Sequence, residues 1–100
     1  MQDTGARINA DCLLVVWKRN AVGGTRLGLT VSSKVGPAVV RNRIRRHLRE
    51  FFRKHKTEFP LGVDVVVIAR TSASDATQPV LHRAFARALG ELQKKVPAVA

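Results

Sequence analysis

The sequence predicts a small α+β domain in which two helices pack on a sheet. The chain has 100 residues, which is enough for one domain with a modest core. Its hydrophobic content of 45% argues against a disordered chain. The apolar patterns follow one another in the order strand, strand, helix, strand, helix. Because no internal repeat or long linker interrupts this order, we expect a single domain over residues 1–100.

The strands are predicted from short apolar runs. Residues 11–19 are apolar on both faces and should be largely covered. Residues 25–34 alternate apolar and polar side chains, which is typical of a half-buried antiparallel strand. The glycine-containing residues 20–24 predict a hairpin connection between these two. Residues 63–70 are almost continuously apolar, which indicates a buried strand beside a crossover helix, whereas residues 1–9 fit either a loop or a short edge strand.

Two helices are predicted from apolar residues at helical spacing. The first extends from about Pro37 to Lys56, with Gly36 as its N-cap and Pro37 in its first turn. The second follows Thr77, a suitable N-cap residue, and continues to about Lys95. The expected core positions are Val40, Ile44, Leu48, Phe51, Phe52 and His55 in the first helix, and Leu81, Ala84, Phe85, Ala88, Leu89 and Leu92 in the second.

The first helix is strongly basic outside its apolar stripe. Eight of the chain's 18 Lys and Arg residues lie between Arg41 and Lys56, against one acid, Glu50. Like charges three and four residues apart destabilise an isolated helix, and a solvated helix face usually mixes signs. A polyanion would relieve this repulsion. The net charge of +11 points the same way and indicates phosphate-bearing partners such as nucleic acid.

A membrane location and a secreted, disulfide-bonded protein fit the sequence less well. No apolar run approaches the roughly 20 residues that cross a bilayer. A helix bound to a membrane surface would need large apolar residues opposite its cations, and those residues are better used against the sheet. The first residues lack the apolar region of a signal peptide, and the single Cys12 excludes an internal disulfide framework. We therefore expect a cytoplasmic protein with no membrane partner.

Catalytic chemistry is not predicted for this chain. Its seven acids are scattered, and none pairs with another at a spacing that suggests general acid–base work. His47 and His55 lie eight residues apart on the basic helix, whereas a zinc-binding helix places two histidines four apart. No Gly-Lys-Ser/Thr follows the glycines, so a phosphate-binding loop is also absent. We expect neither catalytic residues nor a metal site.

The order of motifs in the middle of the chain is similar to that of one known family. The strand-like segment Arg26–Gly36 is followed by the basic segment Ala38–Glu50, which contains the triplet Arg41-Asn42-Arg43. A later strand ends in Ile68-Ala69-Arg70. This ordered set closely resembles the protein subunit of bacterial ribonuclease P, and the likeness extends from about Gly5 to Lys95.

The resemblance implies a fold in more detail than the patterns do. It implies a small α/β sandwich with about four strands in a mixed sheet, helices packed on one face, and a left-handed βαβ crossover around the basic helix. Pattern alone would predict a right-handed crossover. The family usually begins with a further basic helix, and nothing before Cys12 resembles it. We therefore expect that helix to be absent from this chain.

The resemblance also implies a function. The protein would bind the catalytic RNA of ribonuclease P and assist it in removing the 5′ leader from precursor tRNA. The RNA would hold the active site and its Mg²⁺. No DNA partner is expected. A ribosomal-protein-like or general RNA-binding chaperone domain, without a role in tRNA processing, is the alternative.

The candidate RNA contacts follow from side-chain chemistry. Arginine can hold a phosphate at two points, and asparagine can bridge phosphate, 2′-hydroxyl or a base edge. The residues predicted to bind RNA are Lys34, Arg41, Asn42, Arg43, Arg45, Arg46, Arg49, Arg53 and Arg26. The polar sheet face around Arg26, Thr30 and Ser32 is expected to hold the single-stranded leader.

Overall fold

The computed structural model describes residues 6–96. Its strands are β1 (Ala6–Ala10), β2 (Leu13–Arg19), β3 (Arg26–Thr30) and β4 (Val63–Ala69), and its helices are α1 (Ala38–Lys54) and α2 (Gln78–Lys95). Short 3₁₀ turns occupy Ser33–Val35, Lys56–Glu58 and Thr71–Asp75. The expected absence of a family N-terminal helix stays a prediction, because residues 1–5 lie outside the described range.

The four strands form one mixed sheet in the order β1-β2-β4-β3. β1 pairs with β2, and β2 pairs with β4, in antiparallel fashion, whereas β3 and β4 are parallel. α1 connects the parallel neighbours β3 and β4, so this segment is a βαβ unit. The predicted α+β architecture with a mixed sheet is confirmed. The left-handed crossover stays a prediction.

The predicted hairpin across residues 20–24 is wrong. β4 lies between β2 and β3, and β3 is parallel to its neighbour rather than antiparallel. The Asn20 side chain folds the loop back on itself, since its Oδ1 accepts from the N–H groups of Val22 and Gly23. The chain therefore changes direction after β2, but the next strand along the sequence, β3, does not pair with β2. A glycine-rich turn indicates a change of direction, but it does not specify the strand that pairs next.

The actual hairpin joins β1 to β2 through Asp11 and Cys12. Asp11 has a φ of 53°, a left-handed conformation that Asp and Asn adopt more readily than other residues with side chains. The turn is so short that its two residues resemble part of a longer strand. The prediction of a strand from residue 11 therefore included this turn, while the edge-strand interpretation of residues 1–9 is confirmed for β1.

The sheet has one buried face and one open face. The side chains of Leu13 and Val15 in β2, and of Val65 and Val67 in β4, are fully buried and join the core shared with both helices. The alternate residues of these strands are only partly buried: Leu14, Val16, Val66 and Ile68. The expectation that β2 and β4 are covered on both faces is therefore wrong for one face. Two helices packed on the same side leave the other side without cover.

The start of α1 differs from the prediction. Pro37 is the N-cap residue, and Gly36 closes the preceding 3₁₀ turn with its N–H bonded to the Ser33 carbonyl oxygen. Gly36 has a φ of 157°, in a region that is essentially restricted to glycine. This nearly extended conformation connects the turn to the helix. A residue with that φ cannot also have the β-region backbone of an N-cap.

Both helices bury the predicted stripes except at His55, which is the C-cap of α1 and has a side chain that is 37% exposed. Ile44, Leu48 and Phe51 of α1 are buried, and Val40 and Phe52 pack against the same core. In α2 the buried side chains are Leu81, Ala84, Phe85, Ala88, Leu89 and Leu92, as predicted. Thr77 is the N-cap of α2, and a proline lies in the first turn. The stacked rings of Phe51 and Phe85, 4.8 Å apart, join the two helices.

Candidate nucleic-acid interface

The exposed face of α1 consists mainly of cations. Asn42, Arg46, Arg49 and Arg53 are all exposed on the side of the helix opposite its buried stripe. They recur at spacings of three and four residues, so they form one row along the helix. We call this row the basic arc. Among the described residues, the side chains of Arg46, Arg49 and Arg53 take part in no hydrogen bond.

The one acid in α1 does little to neutralise the basic arc. Arg46, Arg49, Glu50 and Arg53 line a shallow groove of about 430 Å³. The Glu50 carboxylate turns toward α2: its Oε1 lies 3.4 Å from His47 Nδ1 and accepts from Gln78 Nε2 at 3.3 Å. These two bonds lower the pKa of Glu50 below its usual value. The carboxylate is therefore engaged at the α2 side.

Arg41 and Arg45 lie at the side of α1 that faces β3, and both are partly buried. Arg45 donates to Asn42 Oδ1 at 3.2 Å and to the Val31 carbonyl oxygen at 3.5 Å. Arg41 donates from Nε to the Gly36 carbonyl oxygen at 3.1 Å. A guanidinium has five N–H donors, so each keeps donors for a phosphate. These bonds hold the two side chains close to the helix start.

Arg43 lies apart from the other predicted contacts. It donates from Nη2 to the Ser74 carbonyl oxygen at 2.9 Å, across the gap between α1 and the turn before α2. Successive helix residues are about 100° apart, so Arg41, Asn42 and Arg43 point in three directions. The triplet is a sequence signature, but its side chains do not form one patch. Asn42 alone belongs to the basic arc.

Lys34 and Arg26 lie outside α1. Lys34 is exposed in the 3₁₀ turn before α1, and its backbone N–H donates to Ser32 Oγ at 3.3 Å. Arg26 is on the open face, where it binds Asp64 at two points, 2.7 and 2.8 Å long. Its hydrogen bonds, with one from Asn20, lower the pKa of Asp64 to about 2. The Arg26 side chain is nevertheless 60% exposed.

The open face of the sheet has an apolar strip that the sequence prediction missed. Leu14 is paired with Ile68, and Val16 with Val66, so the four side chains lie together. Gly28 is level with Val66 and adds no side chain over it. We call these five residues the apolar strip. Polar groups border it, including Arg70, which donates to Asn9 of β1. The family resemblance did contain a signal, because it implied that the helices pack on one face of the sheet.

A membrane-spanning helix and a metal site are the alternatives to a nucleic-acid interface. No helix in residues 6–96 is long and apolar enough to cross a membrane. Within the same range, no three His, Cys, Asp or Glu side chains gather where they could hold a metal ion.

Comparison with known proteins identifies the family. A family model described as Ribonuclease P matches residues 1–93. The chain belongs to the ribonuclease P protein family. The ribonuclease P protein component of Desulfosudis oleivorans is 39% identical over 94 residues, which is 94% of this chain and 78% of that protein. That of Citrifermentans bemidjiense is 41% identical over 90 residues, which is 90% of this chain and 77% of that protein.

Solved structures of ribonuclease P proteins have the same fold. The Staphylococcus aureus protein superposes with a TM-score of 0.82 at 35% identity, over 92% of this chain and 83% of that one. The Thermotoga maritima protein, solved in complex with 1-(4-fluorophenyl)-2-thiourea, gives 0.80 at 30% identity, over 85% and 83% of the two chains. The basic arc and the apolar strip are thus features of a ribonuclease P protein.

Proposed function

We propose that this chain is the RNA-binding protein subunit of the ribonuclease P ribonucleoprotein. In this role it assists the catalytic RNA in the endonucleolytic removal of the 5′ leader from precursor tRNA. The observation that supports the proposal most directly is the basic arc, because three exposed arginines in one row have no partner among the described residues. We also propose a cytoplasmic site of action, where precursor tRNA is the substrate.

The basic arc suits the backbone of a structured RNA. Arg46, Arg49 and Arg53 follow one another at about one helical turn, with rises of about 4.5 and 6 Å along the axis. Arg41 and Arg45 extend the cationic surface toward β3, and Lys34 extends it beyond the start of α1. If four to six phosphates are neutralised, the logarithm of affinity falls with the logarithm of salt concentration at a slope of about −3 to −5.

The chemistry of cleavage is assigned to the RNA. The carboxylates of this chain are scattered, and within residues 6–96 they form no cluster that would hold a metal ion. Mg²⁺ would be held mainly by the partner RNA, and there it would supply the activation of water for hydrolysis. The protein contributes by binding and orientation, which can lower a barrier without a catalytic residue of its own.

The open face of the sheet is the proposed place for the 5′ leader. Its apolar strip can contact sugars and bases, and Arg26 and Arg70 at its border can contact phosphates. Among the described residues this face has no aromatic side chain, since Trp17 lies on the other face of β2. Contacts by stacking are therefore not proposed, and recognition would depend on backbone and shape.

Reconstitution tests the proposal. Purified protein is added to a bacterial ribonuclease P RNA, and cleavage of precursor tRNA is measured at low Mg²⁺, where the RNA alone is slow. The expected result is stimulation by the protein with the RNA and no cleavage by the protein alone. An unrelated folded RNA of equal length is the control for binding. Equal affinity for both RNAs, without stimulation of cleavage, would favour the general RNA-binding alternative.

A further inference from the structure

A second cationic groove lies at the opposite edge of the sheet from β3. The groove encloses about 400 Å³ between the outer edge of β1 and the C-terminal half of α2. Four of the residues that line it are cations, Arg7, Arg87, Lys94 and Lys95, and one is an acid, Glu91. We call it the β1–α2 groove. β1 is an edge strand, so its outer N–H groups also face this side.

Gly90 gives an independent reason to regard the groove as a binding site. It lies inside the 18-residue helix α2, where glycine is a poorer helix former than alanine. Its backbone does not need glycine, since its φ is not positive. A Cβ at this position would meet no atom within 4 Å. Packing within the described chain therefore does not explain Gly90, but a ligand that approaches the groove closely would.

Ordinary structural roles explain some of the cations but not their arrangement. Lys94 and Lys95 are in the last turn of α2, where positive charge is favourable to the helix dipole. Arg87 pairs with Asp11 at 3.0 Å, and the Arg87 side chain is still 63% exposed. Arg7 on an edge strand discourages pairing with another chain. None of these roles requires the four to surround one depression that contains a glycine.

We propose that the β1–α2 groove binds a second stretch of RNA phosphate backbone. The proposal rests on the function proposed above and adds a second contact surface to it. In the sheet, β1 and β3 are separated by three strand spacings of about 4.8 Å, or roughly 14 Å. α1, with its basic arc, joins β3 to β4, so the two cationic surfaces lie toward opposite edges of the sheet. The protein would then hold two RNA segments at once.

Matched charge variants test the groove. The variant Arg7→Gln/Lys94→Gln removes two groove cations. The control Arg19→Gln/Arg83→Gln removes two exposed cations that line neither the groove nor the basic arc. Both lose the same net charge. Titration with ribonuclease P RNA over a range of salt should show a slope shallower by about 1.5 to 2 units for the groove variant than for the control. Equal slopes in the two variants would overturn the proposal.

Gly90→Leu separates binding from folding. A larger residue in the groove should weaken RNA affinity, while the melting temperature stays equal or rises, because leucine is the better helix former. A variant with unchanged affinity would contradict the proposal. The variant Arg46→Gln/Arg49→Gln distinguishes this failure from that of the proposed function. If this variant loses RNA affinity while both groove variants keep it, the groove proposal is wrong and the proposed function stands. If no variant loses RNA affinity, both proposals are wrong.

Discussion

Arg26 and Asp64 face each other across the parallel strands β3 and β4, joined by two hydrogen bonds of 2.7 and 2.8 Å on the open face of the sheet. Asn20 adds a third bond to the same carboxylate at 2.8 Å. Because β3 and β4 are connected only through α1, this pair links the two ends of the crossover segment. It also fixes the Arg26 guanidinium beside the apolar strip.

This pair predicts a defined acid sensitivity. The pKa of Asp64 is lowered to about 2 from an ordinary 3.8, so the folded chain binds its proton less readily than the unfolded chain. Its contribution to stability is therefore complete above about pH 4 and is lost as pH falls toward 2. Asp64→Asn should melt at a lower temperature than the parent at pH 7, and the difference should narrow between pH 4 and 2.

Arg26→Gln is the matched control for that measurement. It removes the two hydrogen bonds from Arg26 but leaves the carboxylate and its bond from Asn20, so its deficit at neutral pH should be similar to or smaller than that of Asp64→Asn. Thermal melts of the three proteins at pH 7, 4, 3 and 2 are sufficient. If the difference in melting temperature between the parent and Asp64→Asn is the same at pH 2 as at pH 7, the ion pair does not stabilise the fold.

The basic arc predicts that RNA affinity and stability can be separated. Arg46→Ala/Arg49→Ala removes two exposed guanidiniums and some like-charge repulsion, so stability should be unchanged or slightly higher. RNA affinity should fall, with a salt slope shallower by about 1.5 to 2 units. Arg45 is left unchanged in this variant, because it is partly buried and bonded to the Val31 carbonyl oxygen.

Leu48→Ala should have the opposite effect. Leu48 is fully buried in α1, and its truncation should cost about 2–5 kcal/mol of the free energy of unfolding. The fraction that stays folded should bind RNA with an unchanged salt slope. Thermal melts and RNA titrations of Leu48→Ala and of Arg46→Ala/Arg49→Ala test both expectations. If the double arginine variant unfolds yet binds RNA normally, those arginines are structural and the basic arc is wrongly assigned.

The helices could be predicted from the sequence because helix periodicity is local. The stripe of Ile44, Leu48 and Phe51 depends on spacing within one segment, and so does the row of Arg46 and Arg49 on the other side. The parallel pairing of β3 with β4 depends on residues more than thirty positions apart, and no local pattern encodes it. The exposure of the apolar strip also depends on where both helices pack.

Single side chains within the candidate site were less predictable than the site itself. Arg41, Asn42 and Arg43 are all predicted to bind RNA, yet Arg43 donates a hydrogen bond to the carbonyl oxygen of Ser74 on another segment. Helical spacing gives the direction of a side chain, but the partner depends on what tertiary packing brings near. The ion pair of Arg26 likewise required the β3–β4 register.

The conformation of Gly36 predicts a local stability effect. With a φ of 157°, an alanine there would be strained, and its Cβ would lie 3.2 Å from Val40 Cβ. Gly36→Ala should therefore destabilise the fold by about 1–3 kcal/mol. Gly24→Ala is the control, since its Cβ would meet nothing within 4 Å and its φ is not positive; its stability should be unchanged or higher by up to about 1 kcal/mol. Urea denaturation gives the free energy of unfolding of both variants. Equal changes in Gly36→Ala and Gly24→Ala would contradict this account of the start of α1.

The apolar strip predicts a defect in substrate preference that spares RNA binding. Val16→Thr/Ile68→Thr keeps β-branched side chains in β2 and β4, and both positions are partly exposed, so the new hydroxyls can reach water. The fold should stay intact. If the leader lies on this face, each lost apolar contact is worth up to about 0.8 kcal/mol, and the preference for precursor over mature tRNA should fall by up to roughly tenfold.

The control for the apolar strip makes the same chemical change elsewhere. Val22 and Val80 are 64% and 39% exposed and lie outside the sheet, so Val22→Thr/Val80→Thr should leave the preference unchanged. Affinity for the ribonuclease P RNA alone, measured at one salt concentration, should be the same for parent and both variants, because the basic arc is untouched. A loss of RNA affinity without a loss of precursor preference would mean that the apolar strip contacts the catalytic RNA and that the leader lies elsewhere.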